Sequence, residues 1–439
     1  FSFFDFGLGR GLTKIIAERI GSKQCDQIPK IFWTSLFLMI LVSLFATICI
    51  SFFIPSIVNI FNISKNLQQE TIRIFYMLAL SIPLVTTTAG LRGFLEAHQK
   101  FATISFMKVF LGIFNFLGPL LILIITNSLF WIIVFLIITR IVVWVLYLLH
   151  CFKTSKGLRN EITFNFSSIK PVLKFSIWIT VGNIIVPMIF YSDRFLIGAL
   201  ISVAALTYYV TPFEVVSKLM VVPVALSGVL FPIFSASFFS EPDITKKIFL
   251  RGVKFIFLIM YPVVLLIVTF SYEGMELWLG TEFAVKSSLI LQLLAIGILM
   301  NSLSLMPTNF FEGIGKPKIP TIIILAELPF YLFAMWFAID RNGINGAAMV
   351  YMISATINAS VLYYCAYKLY SIRFKSRIKE YSFFPLMIGL VFPFLISNIY
   401  LRMIVTICFI LTFPIIAWKY FLSNEEKFFI VSKLKFNFK

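Results

Sequence analysis

The sequence predicts an all-α integral membrane protein that crosses the bilayer about a dozen times. Three observations carry that expectation. Of 439 residues, 60% are apolar, 17% aromatic and only 13% charged, with a mean hydropathy of +0.98. Soluble domains run near 45–50% apolar and about 25% charged. Apolar runs of roughly 20 residues, the length a helix needs to cross hydrocarbon, recur along the whole chain. Finally, Lys and Arg gather in alternate inter-run segments, as the positive-inside rule requires.

Taken in order, the spans are expected near 31–54, 72–94, 101–126, 128–149, 172–198, 203–237, 249–271, 284–311, 319–339, 343–367, 381–398 and 401–421. Ile31 to Ile54, Leu111 to Thr139 and Asn342 to Tyr367 contain no charged residue, which argues against soluble buried helices. Phe1 to Leu8 is apolar but too short to span, and no signal-peptide layout precedes it, so the start is expected to be truncated. Arg10, Lys14, Arg19, Lys23 and Lys30 precede the first full span, whereas the next inter-span segment holds only Lys65; the first side is read as cytoplasmic. Lys153 to Lys174, Lys246 to Lys254, Lys316 with Lys318, and Lys368 to Lys379 fall on the same side, and the C-terminal tail is expected there too. Tyr272 to Lys286, on the opposite side, is acidic through Glu273, Glu276 and Glu282.

The formal charge of +18 does not indicate a nucleic-acid partner, because the basic residues form no face of a soluble fold. Five scattered cysteines make no C-x-x-C pair, and His98 and His150 are the only histidines. No disulfide framework, metal site, cofactor or catalytic triad follows. Gly7-Leu-Gly9-Arg10-Gly11 fails the dinucleotide and P-loop spacings and reads as a place for close backbone approach.

One internal repeat is visible. Phe94-Leu-Glu96-Ala-His-Gln-Lys100 closes one inward-running span, and Phe310-Phe-Glu312-Gly-Ile-Gly-Lys316 closes another. Both copies end on the same face, which points to parallel repeats about an axis along the membrane normal. The expected architecture is two pseudo-symmetric six-helix lobes plus two C-terminal helices. That gives fourteen spans in the full protein, with about twelve complete here. The lobes are placed at 1–150 (start truncated) and 151–370, and the two extra helices with a basic cytoplasmic tail at 371–439.

The whole chain resembles the O-antigen and exopolysaccharide flippases (Wzx-type polysaccharide transporters) of the multidrug/oligosaccharidyl-lipid/polysaccharide exporter (MOP) superfamily. The residues that carry the resemblance are Asp5-Phe-Gly7-Leu-Gly9-Arg10-Gly-Leu-Thr-Lys14, Asp193-Arg194-Phe-Leu-Ile-Gly198, and Thr211-Pro212-Phe-Glu214-Val-Val-Ser-Lys218. Gly228-Val-Leu-Phe-Pro232 and Glu312-Gly-Ile-Gly315-Lys316 add to it. The resemblance implies a bacterial inner-membrane protein moving an undecaprenyl-pyrophosphate-linked oligosaccharide outward by alternating access. It also implies a polysaccharide polymerase and a chain-length regulator as partners.

Charged side chains inside spans are the sharpest local signal, each costing roughly 2.5–3.5 kcal/mol at the bilayer centre. A pyrophosphate cargo needs cations, and Arg suits phosphate through bidentate geometry. Arg10, Lys14, Arg194 and Lys218 are therefore expected to contact substrate. Arg92, Lys108, Arg140, Asp193, Glu214 and Glu327 are expected to line a cavity or pair helices. No catalytic residue is expected. A cation-coupled drug exporter of the same superfamily is the closer alternative, and would favour acidic cavity residues. A membrane glycan polymerase or ligase is the other, disfavoured by short outward loops and scarce histidine.

Overall fold

The computed structural model describes residues 7–60, 65–126, 128–155, 157–160, 162, 169–238, 240–370 and 399–421, with a few isolated positions beyond 370. The described residues are overwhelmingly helical, with no strand among them. In chain order the helices are α1 Leu8–Gly21, α2 Ile28–Ile60, α3 Lys65–Leu80, α4 Ile82–Ala97, α5 Phe101–Ile125 and α6 Leu129–Thr154. They continue with the single turn α7 Gly157–Asn160, α8 Ile169–Leu200, α9 Val203–Ser217, α10 Val221–Ser237, α11 Pro242–Thr269, α12 Ser271–Leu279, α13 Thr281–Gly313, α14 Lys318–Tyr370 and α15 Ile399–Ile416.

Among these residues, ten helical segments are long and apolar enough to cross a membrane. The expected span 381–398 lies largely outside the described residues, as does the basic tail. Two expected spans carry internal breaks. Span 72–94 divides at Ser81 into α3 and α4, with Pro83 in the first turn of α4. Span 203–237 divides at the 3-10 turn Lys218–Met220.

The 53 residues of α14 are interrupted at Gly343, whose φ of 58° and ψ of −142° are not helical. A straight helix of that length would run about 80 Å, far beyond a hydrocarbon core of about 30 Å. Instead the chain folds back: a Cβ on Gly346 would lie 2.1 Å from the Ala338 carbonyl oxygen. The Glu327 carboxylate likewise meets Ser354 and Asn358. These pairs all centre near residue 342, the pattern of an antiparallel hairpin, which accounts for spans 319–339 and 343–367 together.

Many exposed residues of these helices are large and apolar, including Phe52, Phe116, Ile124 and Phe330. That pattern fits a lipid-facing surface, where exposure of hydrocarbon carries no penalty. Hydroxyls within the spans mostly return to the carbonyl four residues back, as Thr34, Thr86, Thr139 and Ser302 do. This satisfies polar atoms without water.

The chain divides into two compact units. The first comprises 1–185, 229–245 and 311–321; the second comprises 186–228, 246–310 and 322–439. In the first, α4 is central, burying Leu91, Phe94 and Leu95 against Leu8, Leu12 and Ile16 of α1 and Phe32 of α2. Tyr147 and Cys151 of α6 close this core. The glycines allow α1 and α4 to meet: a Cβ on Gly93 would sit 2.6 Å from the Gly9 carbonyl oxygen. In the second unit, α13 is almost wholly enclosed through Ile290, Leu294, Ile298, Leu299 and Met306. Tyr363 donates to the Leu303 carbonyl at 2.9 Å, and Gln292 to the Val268 carbonyl at 3.0 Å. Helix α15 is fixed to this unit by the Arg402–Glu273 ion pair and a Thr269–Thr406 hydroxyl contact of 3.0 Å.

The two copies of the sequence repeat end in the same way. In the first, Lys100 N–H donates to the Leu95 carbonyl and Gln99 N–H to the Glu96 carbonyl, both at 2.9 Å. In the second, Lys316 N–H donates to Phe311 at 2.7 Å and Gly315 N–H to Glu312 at 3.0 Å. The aligned residues Gln99 (φ 57°) and Gly315 (φ 80°) are both left-handed. This is the same helix-terminating motif twice, with the aligned Phe94 and Phe310 both buried.

Candidate functional site

The expected substrate-contact residues fall into two clusters, one in each unit. In the first unit, α1 presents Arg10 and Lys14 one turn apart. Arg10 forms an ion pair with Glu312 and lies over the Phe231 ring, 5.8 Å from its centroid. Lys14 binds Glu18 at 2.5 Å, and its Nζ would lie 3.1 Å from a Cβ on Gly315. Helix α1 starts at Gly7, which holds φ +61° and accepts a hydrogen bond from the Ser176 hydroxyl at 3.3 Å. A side chain there would strike Ile179, so the glycines of the sequence run serve close packing.

In the second unit the centre is α8, where Asp193 and Arg194 are adjacent and so about 100° apart around the helix. Asp193 turns inward and is buried, accepting hydrogen bonds from the Tyr209 hydroxyl and the Arg194 N–H, both at 2.6 Å. Arg194 lies over the rings of Tyr191 (5.4 Å) and Phe213 (5.1 Å). Its guanidinium donates to Glu214 at 3.1 Å. Lys218 shares the Glu214 carboxylate at 3.4 Å and keeps 76% of its side chain exposed. It sits where α9 gives way to the 3-10 turn, so the break places a flexible cation at the rim of the cluster. Phe190, Phe213 and Tyr351 pack edge to face around it, with centroids 5.6–6.4 Å apart.

The remaining intramembrane charges are dispersed. Arg92 pairs with Glu96 on its own helix at 3.5 Å. Lys108 is exposed on α5, two turns from its start, and Arg140 is half-buried near the middle of α6. Glu327 accepts hydrogen bonds from the Ser354 hydroxyl and from Asn358 Nδ2, the latter at 2.7 Å. Sequence reading did not single out Tyr209, Ser354 or Asn358. Their only signal is a polar side chain within an apolar run, which many helix-satisfied Ser and Thr residues share. No group of three or more His, Cys, Asp or Glu suited to a metal ion occurs among the described residues.

Long apolar helices, with helix breaks and ionic clusters inside the spans, define a polytopic membrane protein. The fold is that of MOP-superfamily transporters. Over 84% of this chain and 85% of the other, it superposes on a MATE transporter solved as a mutant, with a TM-score of 0.75 at 14% identity. A mutant of the Vibrio cholerae MATE transporter VcmN gives 0.73 at 13% identity over 85% of this chain and 86% of that one. A MOP-superfamily transporter from Pyrococcus furiosus, described by a reversed polarity of its binding pocket, gives 0.70 at 14% identity over 84% of both chains. In sequence, residues 1–288 match the family of polysaccharide biosynthesis proteins, and the chain belongs to that family. A Shigella flexneri protein named "Putative O-antigen transporter" is 28% identical over 365 residues, covering 82% of this chain and 84% of that protein.

Proposed function

We propose that the protein is a flippase that carries a polyprenyl-pyrophosphate-linked oligosaccharide from the cytoplasmic to the periplasmic leaflet of a bacterial inner membrane, by alternating access. The observation that carries this reading is the Arg194–Glu214–Lys218 cluster, set in a chain of the polysaccharide biosynthesis family. Arg194 lies over two rings, and its guanidinium is the group suited to bidentate phosphate contact. Glu214 bridges both cations but offsets only one of their two charges, so the cluster keeps a net positive charge that suits a pyrophosphate. Arg10 and Lys14 supply a second cationic station in the other unit. An anion leaving a negative interior moves downhill by about 2.3 kcal/mol per charge per 100 mV, so the membrane potential can drive the step. A polymerase and a chain-length regulator are the proposed partners, and the C-terminus is proposed to be cytoplasmic.

The test is complementation of a bacterial strain lacking its polysaccharide flippase. Restored surface glycan supports the reading, and failure with every lipid-linked glycan tried contradicts it. A second reading, a cation-coupled exporter, is favoured by one observation: the acids Asp193 and Glu327 are held by neutral donors, hydroxyl and amide groups. Drug efflux that depends on Asp193, in the absence of any glycan phenotype, would select it.

A further inference from the structure

The counterion of Glu312 breaks the symmetry of the repeat. Glu96 draws its partner from its own helix, Arg92, one turn earlier. The position one turn before Glu312 is Thr308, whose hydroxyl donates to the Ser304 carbonyl at 2.8 Å. Helix α13 therefore offers Glu312 no arginine at that position. Glu312 reaches Arg10 on α1, 302 residues away in the chain.

Glycines also bring helix ends of the first unit close together. A Cβ on Gly21 would lie 2.1 Å from the Ala236 carbonyl oxygen, so the ends of α1 and α10 touch backbone to backbone. A Cβ on Gly313 would lie 2.8 Å from Phe234 Cβ and 3.2 Å from the Phe231 carbonyl oxygen. The Arg10–Glu312 ion pair ties α1 to the end of α13. The pair is also lopsided: the Arg10 side chain is 48% exposed, that of Glu312 only 11%.

We propose that Arg10–Glu312 is a latch opened by the phosphate head group of the cargo. An incoming phosphate can reach the exposed Arg10 and bind it bidentately. Glu312, buried, is then left without its counterion, and an uncompensated buried carboxylate disfavours the docked arrangement. Cargo binding at Arg10 is thereby coupled to release of the α10 and α13 ends from α1. The identity of the cargo rests on the flippase reading; the latch itself does not.

The test uses the full chain in nanodiscs, with native cysteines replaced by serine and Ile314→Cys as the reporter, since Ile314 is 5% exposed in the closed turn. The rate of labelling by a charged maleimide is measured. Glu312→Gln should raise it roughly tenfold, the factor a charge-assisted hydrogen bond is able to hold closed. The double exchange Arg10→Glu with Glu312→Arg should return it towards the starting rate, which shows that the single variant is folded. Undecaprenyl pyrophosphate should raise it in the parent and not in Arg10→Gln, while undecaprenol leaves it unchanged. No acceleration by Glu312→Gln overturns the latch whatever the cargo. Acceleration by Glu312→Gln without any response to the pyrophosphate overturns opening by the phosphate head group, and counts against the flippase reading as well.

Discussion

At the scale of single residues, the chemistry of this protein is set by how each intramembrane charge is compensated. Asp193 depends on the Tyr209 hydroxyl, itself fully buried. Tyr209→Phe removes one donor from a buried carboxyl group, and is expected to destabilise the protein by about 1–3 kcal/mol. Thermal unfolding in detergent measures this, and an unchanged midpoint would show that Asp193 is satisfied without it. Arg194→Lys keeps the charge but loses the guanidinium that lies over Tyr191 and Phe213, and with it the bidentate geometry. Transport is expected to fall at least several-fold in that variant despite normal expression; full activity would reduce Arg194 to a plain counter-charge. Asp193, Arg194, Glu214 and Lys218 stand out in the sequence because a charge inside an apolar run is conspicuous, whereas Arg10 and Lys14 precede the first full span and stand out through the family motif. Their partners were less legible: Glu312 was visible through the repeat and the family motif, and nothing in the sequence says that Arg10 is its counterion. Tyr209 is indistinguishable by sequence from the many aromatics that fill the interior.

At the scale of helices, the apolar runs located the long described helices, since the need to satisfy backbone polar groups fixes both type and length, but they did not mark α1, α7 or α12. Internal breaks were harder to see. Pro83 stands in the first turn of α4 beside the break at Ser81, but the 3-10 turn at Lys218–Met220 contains neither proline nor glycine. The reversal at Gly343 is a different case, because Asp340-Arg-Asn-Gly343 is a polar interruption with a residue able to take positive φ. Gly346→Val, with Ala338 backbone 2.1 Å from the new Cβ, is expected to pry the hairpin apart and separate Glu327 from Ser354 and Asn358. Gly93→Val similarly meets the Gly9 carbonyl at 2.6 Å and Thr13 Oγ1 at 2.7 Å, where backbone cannot yield. Each is expected to cost about 1–3 kcal/mol or more, seen as reduced folded yield and a lower unfolding midpoint in detergent. Wild-type stability in either would mean that the helices can shift to make room.

At the scale of the whole molecule, the repeated motif with one shared C-terminal cap supports a duplicated architecture, and the second copy departs from the first in drawing its counterion from α1. The sequence alone conveyed the membrane class and the repeat, because both are written in composition and in local order. It did not convey which distant segments touch, since glycine-to-backbone contacts such as Gly21 with Ala236 leave no pattern. If the cargo is an anion driven outward by potential, collapsing the potential in oriented vesicles should slow transport, while a rate independent of potential would remove that driving force. On the proposed function, this chain moves lipid-linked glycan using Arg194 and Lys218. The decisive test is surface glycan in a flippase-deficient strain expressing the parent, Arg194→Ala or Lys218→Ala at matched levels. Restoration by the parent and loss in both variants is the expected result; no restoration by the parent with any lipid-linked glycan, or restoration indifferent to both substitutions, would contradict the claim.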